Sequence, residues 1–365
     1  MTRRVPALPA LASRLLPALL LLGLAAQAGA NTLTQNVSWT IDRPGTTTKY
    51  RVVAYGDSIY AGYNTSITSA AKYSAPTVDA EYLSATWSAD IESVRRAKSG
   101  AVASDVYTNK IVAEKSYMQD SRTRVVTFEM CGNDGLQART AFKSQTGTCD
   151  YSGMDTAVTT CKQYVAAAMD FINANAYAGV KVKVISNLHY PGYAADNSQS
   201  KCKDATTQAS VSLQNTFLPR IAKMNYWMCE YAREKGFTCA DNFAGYMGAD
   251  YDSNGDGIID AVGLQWVPGE SESSYVTRTT TTLRSTIRDA NTHFASSGTS
   301  YDYIQSDDTH PTYTGGTVTA GLFGGTTGSG APRYSSFTNG KSPIWNQYGH
   351  ERMGWTVSTS NTPAP

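Results

Sequence analysis

The stretch Y-R-V-V-A-Y-G-D-S at residues 50–58 decides the predicted fold. Its β-branched and apolar run is typical of a buried strand, which the Gly-Asp-Ser sequence ends. Two more strands of this kind are predicted over Thr123–Met130 and Val180–Ile185. Helical patterns lie between and after these runs, at residues 80–97, Met154–Ala176 and Val211–Lys235. Strands that alternate with helices predict an α/β protein with three layers, α/β/α, around a parallel sheet.

Polar motifs follow the first two predicted strands. Gly56-Asp57-Ser58 follows one strand and Gly132-Asn133-Asp134 follows the other. Ligands of parallel α/β sheets bind beyond the carboxyl ends of the strands, where a helix N-terminus favours negative charge. Ser58 is therefore a candidate nucleophile, and the Asn133 amide is a candidate donor to an oxyanion. Taken alone, the first motif also fits a helix cap, and the second also fits an ordinary turn.

The segment Asp307-Asp308-Thr309-His310-Pro311 supplies a candidate base. A carboxylate three residues before a histidine can bond its Nδ1 and orient the ring, and Asp308 competes with Asp307 for that role. The alternative is a pair of helix-capping aspartates beside a surface histidine. No acid stands three residues before any of the other histidines, which are His189, His293 and His350. His310 is therefore the predicted base.

These three motifs, in their order along the chain, resemble those of the SGNH (GDSL-type) hydrolase family over roughly residues 50–352. The family's usual leucine is Ile59 here, and no G-x-S-x-G elbow of an α/β-hydrolase occurs. The resemblance implies a flavodoxin-like three-layer fold and a secreted esterase or lipase. Ser58 would be the nucleophile, His310 the general base and Asp307 its orienting carboxylate. The backbone N–H groups of Ser58 and Gly100 and the amide of Asn133 would form the oxyanion hole, and no cofactor is implied for catalysis.

Two other functions stay open at this point. One is a carbohydrate O-acetyl esterase or an acyltransferase of the same fold, so the ester partner is a lipid or an acylated carbohydrate. The other belongs to a different class: a calcium-stabilised secreted binding module without catalysis. A formal net charge of +1 without a basic run excludes nucleic acid as an expected partner.

The aspartate-rich segment at 250–260 resembles the calcium loops of EF-hand and dockerin sequences. If Asp252 takes loop position 1, the other loop positions carry oxygen ligands, as Ca²⁺ requires. Gly263 replaces the glutamate of position 12, so we expect weak, structural binding rather than a catalytic metal. The alternative is a solvated acidic turn. The predicted ligands are Asp250, Asp252, Asn254, Asp256, the carbonyl of Ile258, and Asp260.

The N-terminal thirty residues predict a secretory signal peptide. Arginines precede the apolar run 15–26, and Ala28-Gly29-Ala30 predicts cleavage after Ala30. No later stretch is apolar enough to span a membrane. All six cysteines lie beyond this segment, which predicts disulfides, with Cys229–Cys239 as the best single pair.

The composition, 41% hydrophobic and 17% charged, excludes a disordered chain and allows one large domain. We expect a polar arm at 31–47, one hydrolase domain at 48–352 and a polar tail at 353–365. Residues 240–300 are expected to be an insertion on the rim of the sheet that carries the calcium-type loop. A monomer is expected.

Overall fold

The computed structural model describes residues 36–64, 69–70, 74–189, 199–247, 264–285, 305, 309–312, 327–330, 350, 353–354 and 356–357. Three predictions fall outside these residues: the N-terminal segment 1–30, the calcium-type loop at 250–260, and the aspartates Asp307 and Asp308.

The described strands are β1 (Asn36–Ile41), β2 (Lys49–Gly56), β3 (Tyr63–Asn64), β4 (Ser69–Ala70), β5 (Asp90–Ala97), β6 (Thr123–Phe128), β7 (Val182–Ser186), β8 (Gln199–Lys203), β9 (Ser210–Ser212), β10 (Thr238–Ala240) and β11 (Thr327–Gly330). Seven of these form one sheet in the order β10-β7-β6-β2-β5-β1-β11. The five from β10 to β5 run parallel, β1 is antiparallel to β5, and β11 is parallel to β1.

The described helices are α1 (Ser58–Ala61), α2 (Ala75–Trp87), α3 (Ala103–Asp105), a π-helical segment (Val106–Val112), α4 (Ser116–Gln119), α5 (Gly132–Lys143), α6 (Ser152–Asn175), α7 (Leu213–Lys235), α8 (Asn242–Met247) and α9 (Glu272–Ser285). Val52 and Val53 of β2 enter different cores, because neighbouring side chains of a strand point to opposite faces of the sheet. Val53 lies in the core beneath α6 and α7, and Val52 lies in the core beneath α2. The three-layer α/β/α prediction is confirmed.

One sequence prediction about this side of the sheet is wrong. Residues 36–41, expected as part of a polar arm, form β1, an antiparallel strand in the mostly parallel sheet. Val37 and Ile41 of this strand are buried. Only two of the six residues of β1, which lies between β5 and β11, are buried, so its composition resembles that of an arm.

The helical pattern predicted over 80–97 is also wrong in its second half. Helix α2 ends at Trp87, Ser88 follows in a left-handed conformation with φ 51°, and β5 begins at Asp90. The expected polar tail likewise contributes to the core, because Met353 and Val357 are each only 1% exposed.

Three disulfides pair all six cysteines: Cys131–Cys161, Cys149–Cys202 and Cys229–Cys239. The predicted pair Cys229–Cys239 is confirmed. Within the part of the chain that the structure describes, no helix is long and apolar enough to cross a membrane. Helix α9, from the predicted insertion, packs through Tyr275 onto Ala222 and Tyr226 of α7.

Candidate active site

Ser58 is held at the carboxyl end of β2 by a tight turn. Asp57 caps helix α1, and its Oδ1 accepts the N–H of Ile59 at 2.8 Å. Ser58 begins this helix and is 6% exposed. A side chain on Gly56 would place its Cβ 2.5 Å from Oε1 of Glu129, so only glycine permits the turn. The helix-cap interpretation of the motif therefore holds for Asp57, and the candidate nucleophile is its neighbour.

His310 contacts Ser58 directly. Its Nε2 lies 2.8 Å from the Ser58 Oγ, across 252 residues of sequence. With the imidazole proton on Nδ1, Nε2 accepts the hydroxyl hydrogen, which is the arrangement that a general base needs. The imidazole also packs on Tyr63, with ring centroids 4.6 Å apart. Asp307, the predicted partner of Nδ1, lies outside the described residues, and so does its competitor Asp308.

Gln305 ties the segment around His310 to the site. Its backbone N–H donates to the carbonyl of His310 at 2.7 Å. Its amide donates to the carbonyls of Tyr63 at 2.9 Å and of Pro311 at 2.6 Å. These bonds hold the His310 segment beside Tyr63, seven residues after Gly56. The sequence gives no signal for this glutamine, because its acceptors are backbone carbonyls.

Asn133 links the ends of three parallel strands. Lying in the first turn of α5, it donates from Nδ2 to Oδ2 of Asp57 at 2.9 Å and to the carbonyl of Ala101 at 3.0 Å. Both amide hydrogens therefore have acceptors, and one must be shared or released before Asn133 can donate to an oxyanion. Gly100 precedes Ala101 with φ +76°. The structure thus brings Asn133 to Ser58 through Asp57 and places Gly100 beside that network.

The turn before Asn133 is backbone-strained. Cys131 adopts φ +81°, a conformation that residues other than Gly, Asn and Asp rarely take. Its side chain is fully buried and joined to Cys161 of α6. Strain of this kind persists only where the surroundings hold it, and here it sets the direction in which α5 begins.

A cavity opens next to Ser58 between α5 and α7. Its polar lining includes Asn133, His189 and the two buried carboxyl side chains of Asp57 and Glu129. Its apolar wall consists of Leu136, Leu188, Phe217, Ile221 and Met353. Helix α7 approaches closely because α5 carries Gly135, where a Cβ would lie 3.2 Å from the Cδ1 of Ile221. Such a site can hold an apolar group against a reactive hydroxyl.

Two residues of this site were not singled out by the sequence. His189 follows β7 and places Nε2 2.8 Å from the carbonyl of Thr309. Glu129 follows β6 and accepts the Asp57 N–H at 2.6 Å. Glu129 lies near the end of the strand predicted over Thr123–Met130, and His189 follows the strand predicted over Val180–Ile185. Their position was therefore a usable signal, but neither lies in a recognisable motif.

No protein-family model and no curated protein matches the sequence. Solved structures with a similar fold include phospholipase A1 from Streptomyces albidoflavus NA297, at 19% identity and TM-score 0.36 over 55% of this chain and 82% of that one. An extracellular lipase from Streptomyces rimosus is 18% identical, at TM-score 0.36 over 62% and 92%. An acetylxylan esterase from Geobacillus stearothermophilus is 13% identical, at TM-score 0.33 over 54% and 77%.

Proposed function

We propose that the protein is a secreted serine hydrolase that cleaves carboxylic esters through an acyl-enzyme on Ser58. One observation carries this proposal: the 2.8 Å contact between the Ser58 Oγ and the His310 Nε2. The two residues come from opposite ends of the domain and meet beyond the carboxyl ends of parallel strands, where α/β proteins place their reacting groups.

In the proposed mechanism, the Ser58 Oγ attacks the ester carbonyl while His310 takes its proton. The His310 imidazolium then gives that proton to the departing alcohol, and water releases the acyl group through the same base. Asp307 would orient His310. The oxyanion would be bound by the N–H groups of Ser58 and Gly100 and by Asn133, which shares a hydrogen now donated to Asp57 or Ala101.

The cavity beside Ser58 favours an ester with an apolar acyl group longer than acetyl. Leu136, Phe217 and Ile221 offer it carbon surface. Burying a methylene group contributes roughly 0.8 kcal/mol, so each added carbon that enters the cavity improves binding until the cavity is full. A carbohydrate O-acetyl esterase or an acyltransferase is the second candidate. The O-acetyl esterase ranks lower because an acetyl group would leave most of the apolar wall of the cavity uncovered.

The decisive experiment is an acyl-chain series. The purified chain is assayed on p-nitrophenyl esters from acetate to palmitate, with Ser58→Ala as the control, and a fluorophosphonate labels the nucleophile. We expect kcat/KM to peak beyond acetate and the label to lie on Ser58. A maximum at acetate favours the O-acetyl esterase. No turnover by the folded wild type, with Ser58 unlabelled, favours the non-catalytic binding module.

The other parts of the proposal concern export and calcium. Three disulfides are typical of an oxidising compartment, and so support secretion with removal of residues 1–30. The exported protein would be a monomer. The loop at 250–260 would bind a structural Ca²⁺. Sequencing the N-terminus of the exported protein tests the cleavage after Ala30, and light scattering tests the monomer.

A further inference from the structure

Two carboxyl groups are buried in contact beneath the Ser58 turn. Asp57 is 1% exposed and Glu129 is 2% exposed, and the two side chains are hydrogen-bonded to each other. Glu129 directly follows β6, and its N–H donates to the carbonyl of Tyr55, which continues the pairing with β2. The mechanism proposed above uses neither carboxyl group as an acid or a base.

The hydrogen bonds to Asp57 are those of a carboxylate. Its Oδ1 accepts the N–H of Ile59, and its Oδ2 accepts an amide hydrogen of Asn133. Both oxygens are thus occupied by donors, and a proton on either one would compete with them. An ionised carboxylate also accepts these bonds more strongly than a neutral acid does.

Glu129 has room for a proton. Its Oε1 accepts the N–H of Asp57 at 2.6 Å, and the N–H of Tyr60 also donates to this side chain. A proton on the Glu129 carboxyl group can be donated to the Asp57 side chain, with which it is in hydrogen-bonding contact. Two buried carboxyl groups in contact do not ionise together. Burial and the negative charge of Asp57 hold the pKa of Glu129 well above its ordinary value.

We propose that Glu129 is a positioning residue that stays protonated at neutral pH and donates to the Asp57 carboxylate, which in turn holds Asn133 beside Ser58. This inference rests on the proposed function, because Asn133 is placed by it in the oxyanion hole. The proton of Glu129 fixes the direction of the hydrogen bonds that link Glu129, Asp57 and Asn133. It also leaves a single negative charge, rather than two, beneath the turn.

Two isosteric variants distinguish a proton on Glu129 from a proton on Asp57. In Glu129→Gln, the amide can still donate to Asp57 and its oxygen can still accept the Asp57 N–H, so we expect kcat within about threefold of wild type. In Asp57→Asn, the new NH₂ group faces the N–H of Ile59 or the amide hydrogens of Asn133, which are themselves donors. We expect kcat to fall by about 10²-fold with little change in KM, as for the loss of one oxyanion donor. The matched control is Asp134→Asn, the same change in the first turn of α5, which should leave kcat unchanged.

Infrared difference spectra at neutral pH supply a readout independent of turnover. The C=O stretch of a protonated carboxylic acid should be lost in Glu129→Gln and kept in Asp57→Asn. Should Asp57→Asn not fold, as judged by circular dichroism, the Glu129→Gln spectrum alone decides.

The opposite pattern, a band lost in Asp57→Asn and an inactive Glu129→Gln, overturns the inference. So does a Glu129→Gln spectrum identical to that of wild type. Failure of the proposed function is separate, since it requires that wild-type Ser58 be neither labelled by fluorophosphonate nor active on esters.

Discussion

The imidazole Nε2 of His189 lies 2.8 Å from the carbonyl oxygen of Thr309, the residue before His310. A carbonyl oxygen only accepts, so this nitrogen of His189 carries a hydrogen. The ring is 5% exposed and stands beyond the carboxyl end of β7. The bond thus joins the sheet to the segment that brings His310 to Ser58, although no sequence motif pointed to His189.

His189→Ala should therefore lower kcat by about tenfold with little change in KM, because His310 is then held less well. His189→Gln, whose amide can also donate to Thr309, should restore most of the loss. Ester hydrolysis and thermal melting of both variants make the test, with His293→Ala as the control histidine. A His189→Ala enzyme as active as wild type would remove His189 from the positioning of the base.

The strained turn at Cys131 predicts a difference between two variants that lack the Cys131–Cys161 disulfide. Both Cys131→Ala/Cys161→Ala and Cys131→Gly/Cys161→Ala lose a crosslink that stabilises the fold by about 2–4 kcal/mol. Only glycine takes φ +81° without a penalty, which is about 1–2 kcal/mol for alanine. The glycine variant should melt higher and keep the higher kcat, because the Asn133 turn survives. Equal melting midpoints would show that the turn relaxes once the disulfide is gone.

Chelation tests the calcium-type loop. Asp250, Asp252, Asp256 and Asp260 place four carboxylates within eleven residues, and they repel one another unless a cation binds. A cation bound only by the folded protein stabilises it by about 2.7 kcal/mol at a hundred times its Kd. We expect EDTA to lower the melting midpoint and to leave kcat at 25 °C unchanged. Identical midpoints, with no calcium in elemental analysis, would favour the solvated acidic turn.

The sequence was sufficient for the parts of the site that local patterns encode. Ser58 and Asn133 stand directly after strand-like runs, and the carboxyl ends of parallel strands share one edge of the sheet. The convergence of Ser58 and Asn133 could thus be predicted without coordinates, whereas only the family resemblance placed His310 with them. The order of the blocks along the chain added the resemblance that assigned each residue a role.

The remaining parts depend on distant contacts that no local pattern records. Strand β1 is defined by its pairing with β5, and its few buried residues do not distinguish it from a polar arm. Glu129 matters only because Gly56 leaves space for its carboxyl group, and His189 only because Thr309 returns from 120 residues away. Sequence periodicity describes one element at a time, whereas these roles belong to pairs of elements.

Asp134 predicts a pH dependence of stability with a defined sign. Its Oδ2 accepts the N–H of Ala103 at 2.8 Å, while burial raises its pKa from 3.8 to about 6. The folded protein therefore holds this proton more tightly than the unfolded chain. The stability gained from the proton is complete below about pH 4 and is lost as the pH rises through about 6.

Asp134→Asn keeps the oxygen that accepts the Ala103 N–H and removes the titration. The variant should equal wild type near pH 4 and be more stable by about 1–2 kcal/mol at pH 7, with partial exposure taken into account. Urea unfolding between pH 4 and 8 measures the difference. Asp150→Asn gives a control of opposite sign: hydrogen bonds from Ser152 lower the Asp150 pKa, so this variant should be less stable at neutral pH. An Asp134→Asn difference that does not grow between pH 4 and 7 contradicts the raised pKa.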